Sequence, residues 1–213
     1  MRAPRWSVAA TMVAVLLTLV ACSEDKPEEP ARPLDTTPAP GSVVVSDEAT
    51  GFAVSIPESW VQLPTDIGGF DAAADRGRAE APPDAAAAVA IGLVQLKSAV
   101  RSGVVLAAID PRTGETANLV TLADQGQTAQ EISVGAANQL SQNGATDLAR
   151  QTITVDGVET VRQRFRTPLS GDTGPVTVTE TQFYAVRRGE AFILTLVGES
   201  PVIDSIGTSL KLA

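Results

Sequence analysis

The chain has 213 residues, enough for one globular domain with appendages and too few for two full domains. Hydrophobic residues make up 44% and charged residues 19%, so most of the chain folds around a core, while a formal charge of −9 excludes attraction to nucleic acid or anionic lipid through a general field. The absence of histidine removes the usual general base and most zinc and haem sites, the single cysteine removes an internal disulfide and a thiolate metal cluster, and 4% aromatic residues are too few to stack bases.

Met1-Arg2-Ala3-Pro4-Arg5 is a short basic segment, followed by an apolar run from Val8 to Val20 broken only by threonines. That order, with small residues at its end, describes a secretory signal over residues 1–21. The run is shorter than the roughly 20 residues of a membrane-spanning helix. Its closing tetrapeptide, Leu19-Val20-Ala21-Cys22, resembles the lipobox of bacterial lipoproteins. The resemblance implies cleavage after Ala21, acyl chains on Cys22, and a protein held by lipid at the extracytoplasmic face of the cell membrane. Two or three acyl chains anchor stably where one is marginal. Loss of Arg2 and Arg5 makes the mature chain two charges more negative.

Residues 22–42 read as the lipidated cysteine and a tether. Glu24-Asp25-Lys26-Pro27-Glu28-Glu29-Pro30, then Pro33, Pro38 and Pro40, leave almost nothing apolar to build a core. At roughly 3 Å per residue such a spacer holds a domain up to about 60 Å from the bilayer.

A single folded domain is expected over residues 43–213. Val43-Val44-Val45 and Phe52–Ile56 predict two strands, the second ended by Pro57, which has no N–H to give a ladder. Trp60 follows, then a loop through Gly68-Gly69. From Pro83 to Arg101 the apolar residues Val89, Leu93, Leu96 and Val100 recur on one helical face, with Gly92 weakening the pattern. Val104–Ile109 and Asn118–Leu122 flank the turn residues Asp110-Pro111-Arg112-Thr113-Gly114 and predict a hairpin. Thr128-Ala129-Gln130-Glu131 has the form of a capping box and opens a helix to Gln142, before Asn143-Gly144. Asp156-Gly157 joins Leu148–Val155 to Val158–Arg166, a strong two-residue hairpin signal. Val176–Val186 and Ala191–Val197 form another hairpin, and Val202–Leu210 a last helix after Pro201. The order predicts an α+β fold, a mostly antiparallel sheet with helices packed on it as an α/β/α sandwich.

The segment Gly51-Phe52-Ala53-Val54-Ser55-Ile56-Pro57-Glu58-Ser59-Trp60 resembles the opening of Mog1/PsbP-like domains. The hairpin around Ile109–Gly114 and the strand Phe192–Leu196 before Ile206–Leu210 are similar to that superfamily's middle and close. With the lipobox, the combination resembles the actinobacterial LpqN/LpqT group of lipoproteins. The resemblance covers residues 43–213 and implies a non-enzymatic binding or assembly module of the cell envelope, without a cofactor and with no transferable ligand residues.

No Gly-x-Ser-x-Gly elbow, Ser-x-x-Lys, phosphate loop or dinucleotide fingerprint occurs in the sequence. Asp110–Glu115 lacks the repeated acidic spacing of a calcium loop and reads as a turn. No metal, cofactor or nucleic acid is therefore expected. Trp60 is either an anchor for the loop over the core or an aromatic facing a ligand. The strand Val158–Arg166 carries the one unusual constellation. Alternation sets Arg162, Arg164 and Arg166 on one face and Glu159, Val161, Gln163 and Phe165 on the other. This ladder is either a solvated face with cross-strand partners such as Glu180, or a site for phosphate, sulfate or carboxylate on an envelope protein or lipid. Two functions follow: a tethered interaction module, or a lipid or small-molecule carrier whose alanine-rich first helix (Ala85–Ala88, Ala90) leaves an apolar cavity above the sheet.

Overall fold

A computed structural model of the chain describes residues 32–171 and 174–213. The elements in chain order are β1 (Ser42–Asp47), β2 (Phe52–Pro57), β3 (Val61–Gln62), α1 (Ile67–Glu80), α2 (Ala86–Arg101), β4 (Leu106–Ile109), β5 (Thr116–Ala123), α3 (Ala129–Gln142), β6 (Thr146–Val155), β7 (Val158–Gly171), β8 (Gly174–Arg187), β9 (Glu190–Val197), α4 (Pro201–Thr208) and β10 (Lys211–Leu212). The architecture is α+β. An antiparallel seven-stranded sheet in the order β3-β4-β5-β9-β8-β7-β6 forms the middle layer.

Period-two alternation sorts the sheet residues onto two faces. One face carries Leu106, Leu119, Leu194, Phe183 and Arg162 in a single row across β4, β5, β9, β8 and β7. Its apolar part packs in the main core with Val45, Phe52, Val54, Ile56, Trp60, Ile203 and Ile206. The cover on this side is thus α4 together with a second, three-stranded sheet, β1-β2-β10. The first two strands belong to that small sheet, closed by the C-terminal strand, so one outer layer is part helix and part sheet. On the opposite face α1 and α2 lie over Ala107 and Ile109, and α3 lies over Val161 and Tyr184.

The turns do what their residues dictate. Asp156 and Gly157 both have positive φ, +50° and +77°, and Arg188 and Gly189 repeat this at the β8–β9 turn. Two successive left-handed residues match the twist of the flanking strands. Thr128 and Glu131 make the reciprocal cap of α3. The expected loop through Gly68-Gly69 is instead the start of α1. Asp66 caps it by accepting the Gly69 N–H at 2.7 Å, and Phe70 and Ala74 alone are buried. So few apolar contacts, among three glycines, leave little periodic signal. Strands β7 and β8 also run beyond Arg166 and before Val176, so β6 to β9 form one continuous meander.

Helix α4 sits on the sheet at its closest approach. A Cβ on Gly207 would lie 2.1 Å from two ring carbons of Phe183. Gly207→Ala is therefore expected to lower stability by about 1–3 kcal/mol through overpacking. Gly77→Ala, where a Cβ meets nothing within 4 Å, is expected to raise it by about 0.5–1 kcal/mol. Urea unfolding midpoints check both, and equal effects would show that α4 is not seated on the ring.

Candidate functional site

Along β7 the residues Thr160, Arg162, Arg164 and Arg166 share the α4 face, and their cover thins from one end to the other. Thr160 is fully buried, Arg162 is half-buried, and Arg164 and Arg166 are exposed. Arg162 reaches α4, where its Nη2 lies 3.1 and 3.2 Å from the two carboxylate oxygens of Asp204. Arg166 Nη1 stands 3.7 Å from Asp147 Oδ2, with both side chains more than half exposed. An exposed pair at that distance contributes little. Among the described residues Arg164 makes no ion pair.

The two outer arginines line a cleft of about 400 Å³ together with Asp147, Ala149, Thr179 and Glu199. The acidic members are held by irregular backbone. Asp147 sits at φ +55° inside a register shift between Thr146 and Ala149, a β-bulge that re-aims its side chain. Glu199 accepts the Thr179 hydroxyl and follows Gly198, whose φ is +145°. The segment is pinned from across the molecule by Glu115. Its carboxylate accepts the N–H groups of Glu199 at 3.0 Å and Ser200 at 2.9 Å and the Ser200 hydroxyl at 2.6 Å, at the entry to α4. Free N–H groups at a helix start favour such a negative partner.

The cleft therefore offers two guanidinium forks and two carboxylates. A bare anion meets repulsion from Asp147 and Glu199, whereas a polypeptide carrying both signs is matched by both sets. Sequence reasoning placed the arginines on one face but not their partners. Glu180, the cross-strand partner it suggested, pairs in register with Phe165 and lies on the opposite face, while Arg164 faces Thr181. A one-residue change of register exchanges faces, and β8 carries no pattern that fixes it before pairing. Asp147, Glu199 and Asp204 come from a bulge, a loop and a helix, and only the fold brings them to the ladder.

Trp60 is 7% exposed and belongs to the main core with Phe52 and Leu210, away from the cleft lining. Cys22, the signal segment 1–21 and the start of the tether lie outside the described residues. The later tether residues follow the domain surface: Arg32 donates to the carbonyl of Asp156 at 3.3 Å, and Lys211 stands between Asp35 and Asp156. The alanine-rich helix does not stand off the sheet. A Cβ on Gly92 would lie 2.5 Å from the Gly114 carbonyl oxygen, and one on Gly114, at φ +76°, 2.4 Å from the Ala88 carbonyl carbon. The small residues bring the two backbones together there and leave no room for an apolar ligand. Among the described residues no group of three or more acidic, cysteine or histidine side chains is placed to hold a metal, and no helix is long and apolar enough to cross a membrane.

On the helix-covered face burial pushes the Glu180 carboxyl above the usual range, and burial together with the nearby Glu180 charge pushes the Tyr184 phenol up as well. Because folding raises the Glu180 pKa, the folded chain keeps this proton where the unfolded chain has released it. The resulting stability is fully present below the ordinary carboxylate pKa and is lost as pH climbs through the raised value. Glu180→Gln is expected to flatten that fall and to be the more stable protein at neutral pH. Urea midpoints across about pH 4 to 8 measure it, and parallel profiles for the two proteins would contradict a buried, reluctantly ionised carboxyl.

No family model matches the sequence, and no curated protein matches it. Solved structures with similarity to the chain include the cyanobacterial PsbP protein CyanoP of Synechocystis, at 14% identity and a TM-score of 0.49 over 92% of this chain and 99% of its own. LpqN of Mycobacterium tuberculosis, described as involved in cell envelope biogenesis, is 12% identical with a TM-score of 0.44 over 81% and 91%. A protein of unknown function from Pseudomonas aeruginosa is 15% identical with a TM-score of 0.34 over 76% and 84%.

Proposed function

We propose that the protein is a lipoprotein of a bacterial cell envelope, anchored at the extracytoplasmic face of the membrane through acyl chains on Cys22, and that its folded domain is a non-enzymatic docking module. The anchor rests on the basic, apolar and Leu19-Val20-Ala21-Cys22 sequence, which places the chain's only cysteine at its end. The docking role rests on one observation above all: Arg164 stands exposed and without an ion pair in a cleft that also presents Arg166, Asp147 and Glu199. An unpaired guanidinium between fixed carboxylates suits a partner segment of mixed charge better than turnover of a substrate. The chain's lack of histidine supports the same reading, since the commonest proton-transfer group is missing. The carrier reading loses its premise where α2 closes on Gly114.

Cys22→Ser is expected to abolish membrane retention. Fractionation of cells expressing both forms measures it, and a serine variant that still sediments with membranes would refute lipid anchoring. For docking, the double change Arg164→Gln and Arg166→Gln leaves the Arg162–Asp204 pair intact and is expected to shift stability by no more than about 0.5 kcal/mol. It is also expected to lose capture of an envelope partner that the unaltered domain retains at low salt and releases as salt rises past about 0.15 M. Equal capture by both proteins would sink the docking reading while leaving the anchor untouched.

A further inference from the structure

The face of the sheet under α2 and α3 carries a polar row that the cleft does not use. Register aligns Asn118 of β5, Thr195 of β9, Gln182 of β8 and Gln163 of β7 side by side across four adjacent strands. At about 4.8 Å between strands the row is about 14 Å long. Helix α2 packs on β4 and β5, and α3 packs on β6, β7 and β8, with β9 between them. The middle of the row, Thr195 and Gln182, is half-buried, as is Asn118 at its α2 end, whereas Gln163 is completely buried.

The hydrogen bonding of this row is incomplete. Both amide atoms of Gln163 are buried without a partner, although a glutamine amide can donate twice and accept twice. Thr116 Oγ1, two residues along β5 on the same face, and Gln95 Oε1 of α2 are buried without a partner as well. Gln95 lies about 200° round the helix from Lys97, whose Nζ pairs with Asp71 of α1 at 2.7 Å. It therefore turns away from α1, toward the α3 side. Gln182 is held in place, its Oε1 accepting from Tyr184 and its Nε2 donating to Thr195 Oγ1 at a long 3.4 Å. Each unmade bond of this kind costs about 1–3 kcal/mol, and four such atoms on one patch of one face call for an occupant.

We propose that the gap between α2 and α3 binds a neutral, polyhydroxylated ring such as a sugar, recognised by Asn118, Thr195, Gln182 and Gln163. The row itself holds only amides and a hydroxyl, so an ionic ligand finds no counter-charge in it and loses its hydration. Hydroxyl groups both donate and accept, which is what paired amide oxygens and nitrogens require. A peptide backbone is not matched, because β5, β9, β8 and β7 are all interior strands whose main-chain groups are already spent in the ladder. One step along the strands, Ile193 and Val120 pair in register and are half-buried, an apolar strip for the C–H face of a ring. This site is independent of the anchor and of the arginine cleft.

The test is saturation-transfer NMR on the folded domain with glucose, maltose and myo-inositol at millimolar concentration, alongside glucose 6-phosphate as a charged control. At least one neutral ring is expected to receive saturation, and the phosphate more weakly. Gln182→Met is expected to weaken that binding by about tenfold. Gln163→Met fills a similar volume without polar atoms, so it is expected to fold with equal or higher stability while losing affinity by a similar factor. Stability gained with affinity lost distinguishes a binding amide from a structural one. Absence of saturation in all three neutral rings, stronger binding of the phosphate, or unchanged affinity in both methionine variants would overturn the proposal and leave the row to buried water.

Discussion

The contact between Gly207 and the ring of Phe183 sets the position of everything on the α4 side of the sheet. With no Cβ at that point, α4 descends until its backbone rests on the aromatic face at the centre of the sheet. Its entry is then held by the Glu115 carboxylate, and its exit by Ser209, whose hydroxyl accepts the Ser55 N–H at 2.9 Å and so links the helix to the small sheet. Seated there, α4 places Asp204 over Arg162 and stops short of Arg164 and Arg166. The cleft is thus the part of β7 that α4 does not cover.

The sheet treats its polar residues in two ways. On the α4 face they are charged, sit at the thinly covered end, and make pairs in contact with water that contribute little to stability. Their use lies in orientation and partner choice. On the other face they are neutral and buried, where each unmet hydrogen bond is expensive. Glu180 is the exception, an ionisable group on the neutral side, and burial answers by holding its proton. One strand, β7, feeds both, with Arg164 on one side and Gln163 on the other.

Short-range chemistry made much of the fold readable. Asp156-Gly157, the Thr128–Glu131 cap and the 3.6-residue period of α2 each depend on neighbours in sequence and appear where expected. Helix α1 was obscured because only Phe70 and Ala74 are buried in its 14 residues. Strand β10 was obscured because its two residues are defined by pairing with Phe52 and Ala53, far away in the chain. The arginine ladder was legible from alternation alone. The carboxylates around it were not, since Asp147 depends on a bulge, Glu199 on a cap supplied by Glu115, and Asp204 on where α4 lands. The buried row was invisible for the same reason: four residues on four strands share no spacing in sequence.

The late tether residues carry a consequence for orientation. Arg32 reaches the Asp156 carbonyl, and Lys211 holds Asp35 beside the same turn. From Cys22 to Arg32 the chain spans at most about 35 Å, roughly half the reach of a tether free to residue 42. A domain anchored at Cys22 is therefore not a ball on a long leash but is hitched near one pole, the β6–β7 turn. Arg166 lies eight residues further along β7, about 26 Å up the strand from Val158. The mixed-charge cleft then points away from the bilayer, toward whatever crosses the space above it.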